Sequence, residues 1–169
     1  MTMEKKYRLL ENDTITVDGR TLYRIEALRD FENVKKGSKG GYIEKEENLS
    51  HKGNCWVSDN AWVCDNARVL GNAWVSDNAL VLGNALVLVN ARVLGNAWVS
   101  DNARVYGYAL VSDNARVLGN AMVFEYALVL GNSLVSGNSL VSGNSLVSGN
   151  AQIKDGMITS KVIENEQNE

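Results

Sequence analysis

The residues Gly53-Asn54-Cys55-Trp56-Val57-Ser58, Asp59-Asn60-Ala61-Trp62-Val63-Cys64 and Asp65-Asn66-Ala67-Arg68-Val69-Leu70 open a run of eighteen six-residue units that ends at Ser160. Each unit is a variant of Gly/Asp-Asn-Ala-x-Val-x, and no insertion or deletion interrupts the count. The fifth position is Val in sixteen units, then Ile153 and Thr159. The third is Ala in thirteen, Ser in three (Ser133, Ser139, Ser145), Cys55 in the first unit and Met157 in the last. Strand side chains alternate, so positions three and five point to one side of a short strand and positions four and six to the other. Gly, Asn and Asp tolerate left-handed backbone angles, which makes each Gly-Asn or Asp-Asn a corner. A period of six is a mark of the parallel β-helix.

The repeat resembles that of hexapeptide left-handed β-helix proteins, with an aliphatic residue inside and a small one two places before it. That resemblance implies three hexads per triangular coil. The expected fold is all-β: a single-stranded left-handed parallel β-helix of eighteen residues per coil and about six coils. Leaving the terminal unit aside, three units break the corner rule, at Val89-Asn90, Gly107-Tyr108 and Glu125-Tyr126. They are spaced by eighteen and again by eighteen, which supports the coil length independently and stacks the irregularities on one corner. At the roughly 4.8 Å spacing of neighbouring strands the prism would be about 29 Å long.

Residues 1–52 read as an N-terminal capping segment, 53–160 as the solenoid and 161–169 as a polar tail. Thr14-Ile15-Thr16-Val17 and Arg20-Thr21-Leu22-Tyr23-Arg24-Ile25 flank Asp18-Gly19, the signature of a β-hairpin with a tight turn. Lys36-Gly37-Ser38-Lys39-Gly40-Gly41 lacks the ending of a phosphate loop and reads as a turn. Asn48 and Leu49 then match positions two and three of a hexad. A cap is needed because an open solenoid end exposes an unpaired strand edge. The tail either blunts the opposite edge or is disordered.

Residues 21–31 (Thr-Leu-Tyr-Arg-Ile-Glu-Ala-Leu-Arg-Asp-Phe), Gly40-Gly41-Tyr42-Ile43-Glu44 and Asn48-Leu49-Ser50 resemble the head of a hexapeptide-repeat family associated with phages, prophages and their hosts. The resemblance implies a phage or prophage origin and no particular activity.

Composition narrows the function. The net charge is −3; residues 1–52 hold eleven Lys/Arg against ten Asp/Glu, and residues 53–154 hold five against six. Such a balance offers no basic footprint for nucleic acid. No apolar run is long enough to span a bilayer and the N-terminus lacks a signal-peptide core, so a cytoplasmic protein is expected. Cys55 should face inward and Cys64 outward, both as free thiols.

Hexapeptide β-helices resemble acyltransferases and γ-class carbonic anhydrases. The latter need three His ligands on zinc, and this chain has one His. His51, in a Val-equivalent position of the transition into the prism, reads as structural, since a general base needs an orienting partner and a cleft. Stacked Asp59 and Asp77 are better read as corners than as cation ligands. No cofactor, metal or catalytic residue is expected, and acyl transfer ranks third among the functions.

The outward positions carry more information. They include Trp56 and Trp74 on the first face, Trp62, Leu80, Leu82 and Trp98 on the second, and Leu70, Leu86, Leu88, Tyr106, Met122, Phe124 and Leu140 on the third. Contiguous apolar surface of this extent marks an interface. Tyr106, Tyr108, Phe124 and Tyr126, with Glu125 among them and Arg104 nearby, are expected to form one cluster at the irregular corner. Aromatics and Arg are enriched at interface hot spots. The reading is a non-enzymatic scaffold acting by protein contacts: itself as homodimer or homotrimer, and a host protein. The alternative is a small nucleotide held in clefts between subunits.

Overall fold

The computed structural model describes residues 4–165 and 167–168. The chain is an all-β parallel solenoid of about seven turns, eighteen residues per turn, headed by an antiparallel hairpin. Its three walls are sheets of ten, seven and six strands. Most solenoid strands are two residues long, such as Arg92–Val93, which pairs in parallel with Trp74–Val75 above and Leu110–Val111 below. Fully buried Ala and Val from every coil form one continuous core. Each solenoid corner turns on a left-handed residue: Gly where present, otherwise Asp, Val89 or Glu125 in the regular coils, and Ser160 and Asn165 in the C-terminal segment.

The turn count exceeds six because both ends join the stack. Strands β1 (Tyr7–Val17) and β2 (Arg20–Ala27) form the hairpin, with Asp18 and Gly19 both at positive φ as a tight two-residue turn requires. Strand β3 (Lys39–Ile43) pairs antiparallel with β2 and parallel with Trp62–Val63. The glycine-rich stretch is therefore not all turn: Gly37 is at positive φ, but Gly40 and Gly41 lie in β3. A Cβ on them would sit 2.4 Å from the Val57 carbonyl oxygen and 2.6 Å from that of Ala61. Glycine lets the cap backbone lie directly on the first coil.

Two register expectations need correction. Leu49 bridges Val69, so it holds position five of its turn rather than three, and His51 is not Val-equivalent. The slip is two residues, so Leu49 still faces inward and is fully buried. At the other end Met157, not Ile158, pairs with Leu140, seventeen residues earlier, and Ile158 pairs with Val141. The last unit is thus one residue short. A one-residue slip exchanges the faces of a strand, and it puts Ile158 in the core in place of Thr159 and leaves Met157 65% exposed. Gly156, at φ 100°, makes the tighter corner. The C-terminal segment adds Val162–Glu164 and Gln167–Asn168, stacked on Leu146–Ser148 and Gln152–Ile153.

Among the described residues no helix is long and apolar enough to cross a membrane.

Candidate functional site

Side chains at corner position two stack through the prism because the coils are in register. On the two regular corners this builds amide ladders: Asn66, Asn84, Asn102, Asn120 and Asn138 each bond the next, and so do Asn78, Asn96, Asn114, Asn132 and Asn150. On the third corner the ladder stops at Asn90, which accepts from Asn72 at 3.4 Å. Below it stand Tyr108 and Tyr126. Their rings stack at 5.3 Å with planes 5° apart, and beside them Tyr106 stacks on Phe124 at 5.0 Å and 3°.

The sequence-predicted cluster is thus two parallel stacked pairs at one edge. Tyr108 and Tyr126 are 58% and 60% exposed, whereas Tyr106 and Phe124 are half-buried. Arg104 is exposed on the third face between Leu86 and Met122, and it makes no ion pair among the described residues. Glu125 has a structural role: at φ 60° its carboxylate accepts the N–H of Gly143 one coil on.

Asp corners do the same. Asp77, Asp101 and Asp113 accept the N–H of Gly95, Gly119 and Gly131, each at 2.9 Å. Asp59 accepts the N–H of Asp77 at 3.2 Å. These carboxylates face backbone donors along the stack. Among the described residues no three His, Cys, Asp or Glu side chains converge as metal ligands do.

The second apolar surface divides. Trp56 is not outward-exposed: it is 2% exposed, packed edge-on against Phe31 and Tyr7 of the cap. Cys64 does point away from the core, but Leu22 and Tyr42 cover it and Trp62 and Leu82 pack alongside. The period of six runs through these positions, but nothing in it encodes where the aperiodic cap will lie. Leu80 is half-buried between Trp62 and Trp98, and the Arg116 guanidinium sits over the Trp98 ring at 4.9 Å. Trp74 remains half-exposed on the first face, and Leu86, Leu88 and Met122 line the third. Both cysteines are free. Burial raises both thiol pKa values, that of Cys64 to about 11 with help from Asp65.

His51 belongs to the cap. Its ring stacks on Tyr7 at 4.2 Å, and its Nδ1 accepts the backbone N–H of Lys6 at 3.1 Å. Burial lowers its pKa; Glu46, with Oε1 3.7 Å from Nε2, pulls the other way and is outweighed. Lys6 is fully buried and donates from Nζ to the Cys55 carbonyl at 2.6 Å. No sequence signal pointed to Lys6, because a lysine in a charged segment reads as surface.

The model of the YdcK β-solenoid repeat family matches residues 61–77 and 97–113. A stretch of 62 residues is 39% identical to the uncharacterized acetyltransferase YdcK of Escherichia coli (strain K12), covering 32% of this chain and 19% of that protein. The chain therefore carries YdcK-type solenoid repeats and spans under a fifth of that relative's length in the match.

Proposed function

We propose that this solenoid is a non-enzymatic scaffold that works through protein contacts, first with further copies of itself, using the edge formed by Tyr106, Tyr108, Phe124 and Tyr126. The observation that supports this reading is the exposure of the Tyr108 and Tyr126 rings where the regular corners carry hydrogen-bonded Asn. Replacing amides by exposed rings gives up ladder bonds and creates apolar surface, a cost that a partner offsets by covering it. The apolar column Leu70, Leu88, Tyr106 and Phe124 runs beside the edge and extends the surface over successive coils. The rings already occupy one face of each other, which favours a protein partner over a base inserted between them. A phage-borne role in binding a host protein is the finer reading, and it rests on the resemblance of the cap. Sedimentation velocity of the intact chain over a range of concentrations tests the scaffold reading: a self-associating species supports it, and a monomer throughout that captures no partner from host lysate removes it.

Acyl transfer is the second reading, favoured by the name of the Escherichia coli relative, an uncharacterized acetyltransferase. The repeats matched by the family model hold no histidine, and His51 is committed to Tyr7 and Lys6. Thioester cleavage with acetyl-coenzyme A that disappears in His51→Asn would establish it.

A further inference from the structure

We infer that the groove between the cap and the irregular corner is a binding subsite for a pyranose sugar. It spans the coils directly above the tyrosine edge, with Asn90 one coil above Tyr108, and is independent of the scaffold reading. The groove is about 230 Å³, below the roughly 300–1,000 Å³ of drug-sized pockets and fit for one small ring. Its floor is formed by Trp74 and Arg92, which pair on adjacent rungs of the first face. Its side is the short Asn ladder of Asn54, Asn72 and Asn90, and its upper rim is Glu32 of the cap.

Trp74 packs against the core cluster one rung from Trp56, but among the described residues no ring or cation stacks on it, unlike Trp56 under Phe31 and Tyr7 or Trp98 under Arg116, so its half-exposed indole is open to a ligand. Asn90 is the last amide of its ladder, because Tyr108 stands where the next acceptor would be; its Nδ2 donates to nothing among the described residues. Arg92 makes no ion pair among the described residues. Glu32 is fixed by the Asn54 amide at 3.0 Å and keeps acceptor capacity. An apolar ring face with fixed donors on one side and a carboxylate acceptor on the other matches a pyranose. Its C–H face packs on indole while vicinal hydroxyls accept from Arg92 and Asn90 and donate to Glu32. A free anion would be repelled by Glu32.

Left-handed residues turn every corner, but Val89, the residue before Asn90, is the one β-branched residue among the described residues at positive φ, at 65°. A β-branched residue in the left-handed region is an outlier, and such outliers gather at ligand sites.

Saturation-transfer NMR on the intact chain, with glucose, galactose, mannose and N-acetylglucosamine as probes, tests the inference. The expected result is transfer to ring C–H protons of at least one sugar, at least tenfold weaker in Trp74→Ala and in Arg92→Ala and unchanged in Tyr108→Ala. Arg92 is exposed, so its variant folds and decides the matter if Trp74→Ala does not. No transfer to any of the four sugars, or transfer that survives Arg92→Ala, overturns it. So does transfer to the adenine of AMP with none to the sugars.

Discussion

The Asp113 carboxylate accepts the backbone N–H of Gly131, one coil further on, at 2.9 Å, while Asp113 itself holds φ 61°. Asp thus serves a corner twice, tolerating the left-handed backbone and capping the next coil's donor. Asp113→Ala should cost about 1–3 kcal/mol, by losing a charged hydrogen bond and forcing Ala into a strained region. Asp113→Gly, which loses only the bond, should cost less, and Asp113→Asn least. Urea unfolding midpoints of the three variants check the order.

Val89 carries strain at φ 65° on a corner where Gly53, Gly71, Gly107, Glu125 and Gly143 stack. Val89→Gly should stabilise the protein by about 1 kcal/mol, since a left-handed L-residue costs roughly 1–2 kcal/mol. For a chain of this size that is a rise in Tm of about 2–4 °C. Differential scanning calorimetry reads it directly.

The cap should loosen in mild acid. Burial holds His51 below its ordinary pKa of about 6.5, so the unfolded chain takes up the proton first as pH falls. The stability present at neutral pH is lost as pH drops from about 6.5 through the lower folded value. His51→Asn, which keeps an acceptor for the Lys6 N–H, should flatten that part of the dependence. Unfolding midpoints at about pH 7 and about pH 5.5, compared between the two proteins, isolate it from the carboxylates.

Neither thiol should react with a maleimide in the native protein near neutral pH, because Cys55 is buried beside Lys6 and Cys64 lies under Leu22 and Tyr42 with its pKa near 11. Both should label after unfolding in guanidinium. Mass spectrometry of the adducts counts them; labelling of native Cys64 would mean that the hairpin does not cover the second face.

The periodic positions made the solenoid legible, because a strand's alternation and a corner's backbone demand leave few residue choices. The stacking of Tyr106 on Phe124 and of Tyr108 on Tyr126 followed from an eighteen-residue offset alone. What the repeat could not convey was the path of the aperiodic cap, and so Trp56 and Cys64 looked exposed from their parity while lying under residues of the first 52. The short final unit was hidden because Asp155-Gly156 mimics a normal corner, although Ile158 beside Thr159 carried the signal of the slip. The groove at Trp74 needs both the cap and the broken ladder, and no linear pattern brings Glu32 to Asn90.

The tyrosine edge as a contact between protein chains is most directly tested by the native mass of the intact protein and of the double variant Tyr108→Ala, Tyr126→Ala, measured by light scattering at the same concentration. Both substitutions fall on exposed rings, so the fold should persist. The wild-type chain should show a multiple of its 18.5 kDa mass and the double variant 18.5 kDa. An oligomer of unchanged mass in the double variant would contradict the account.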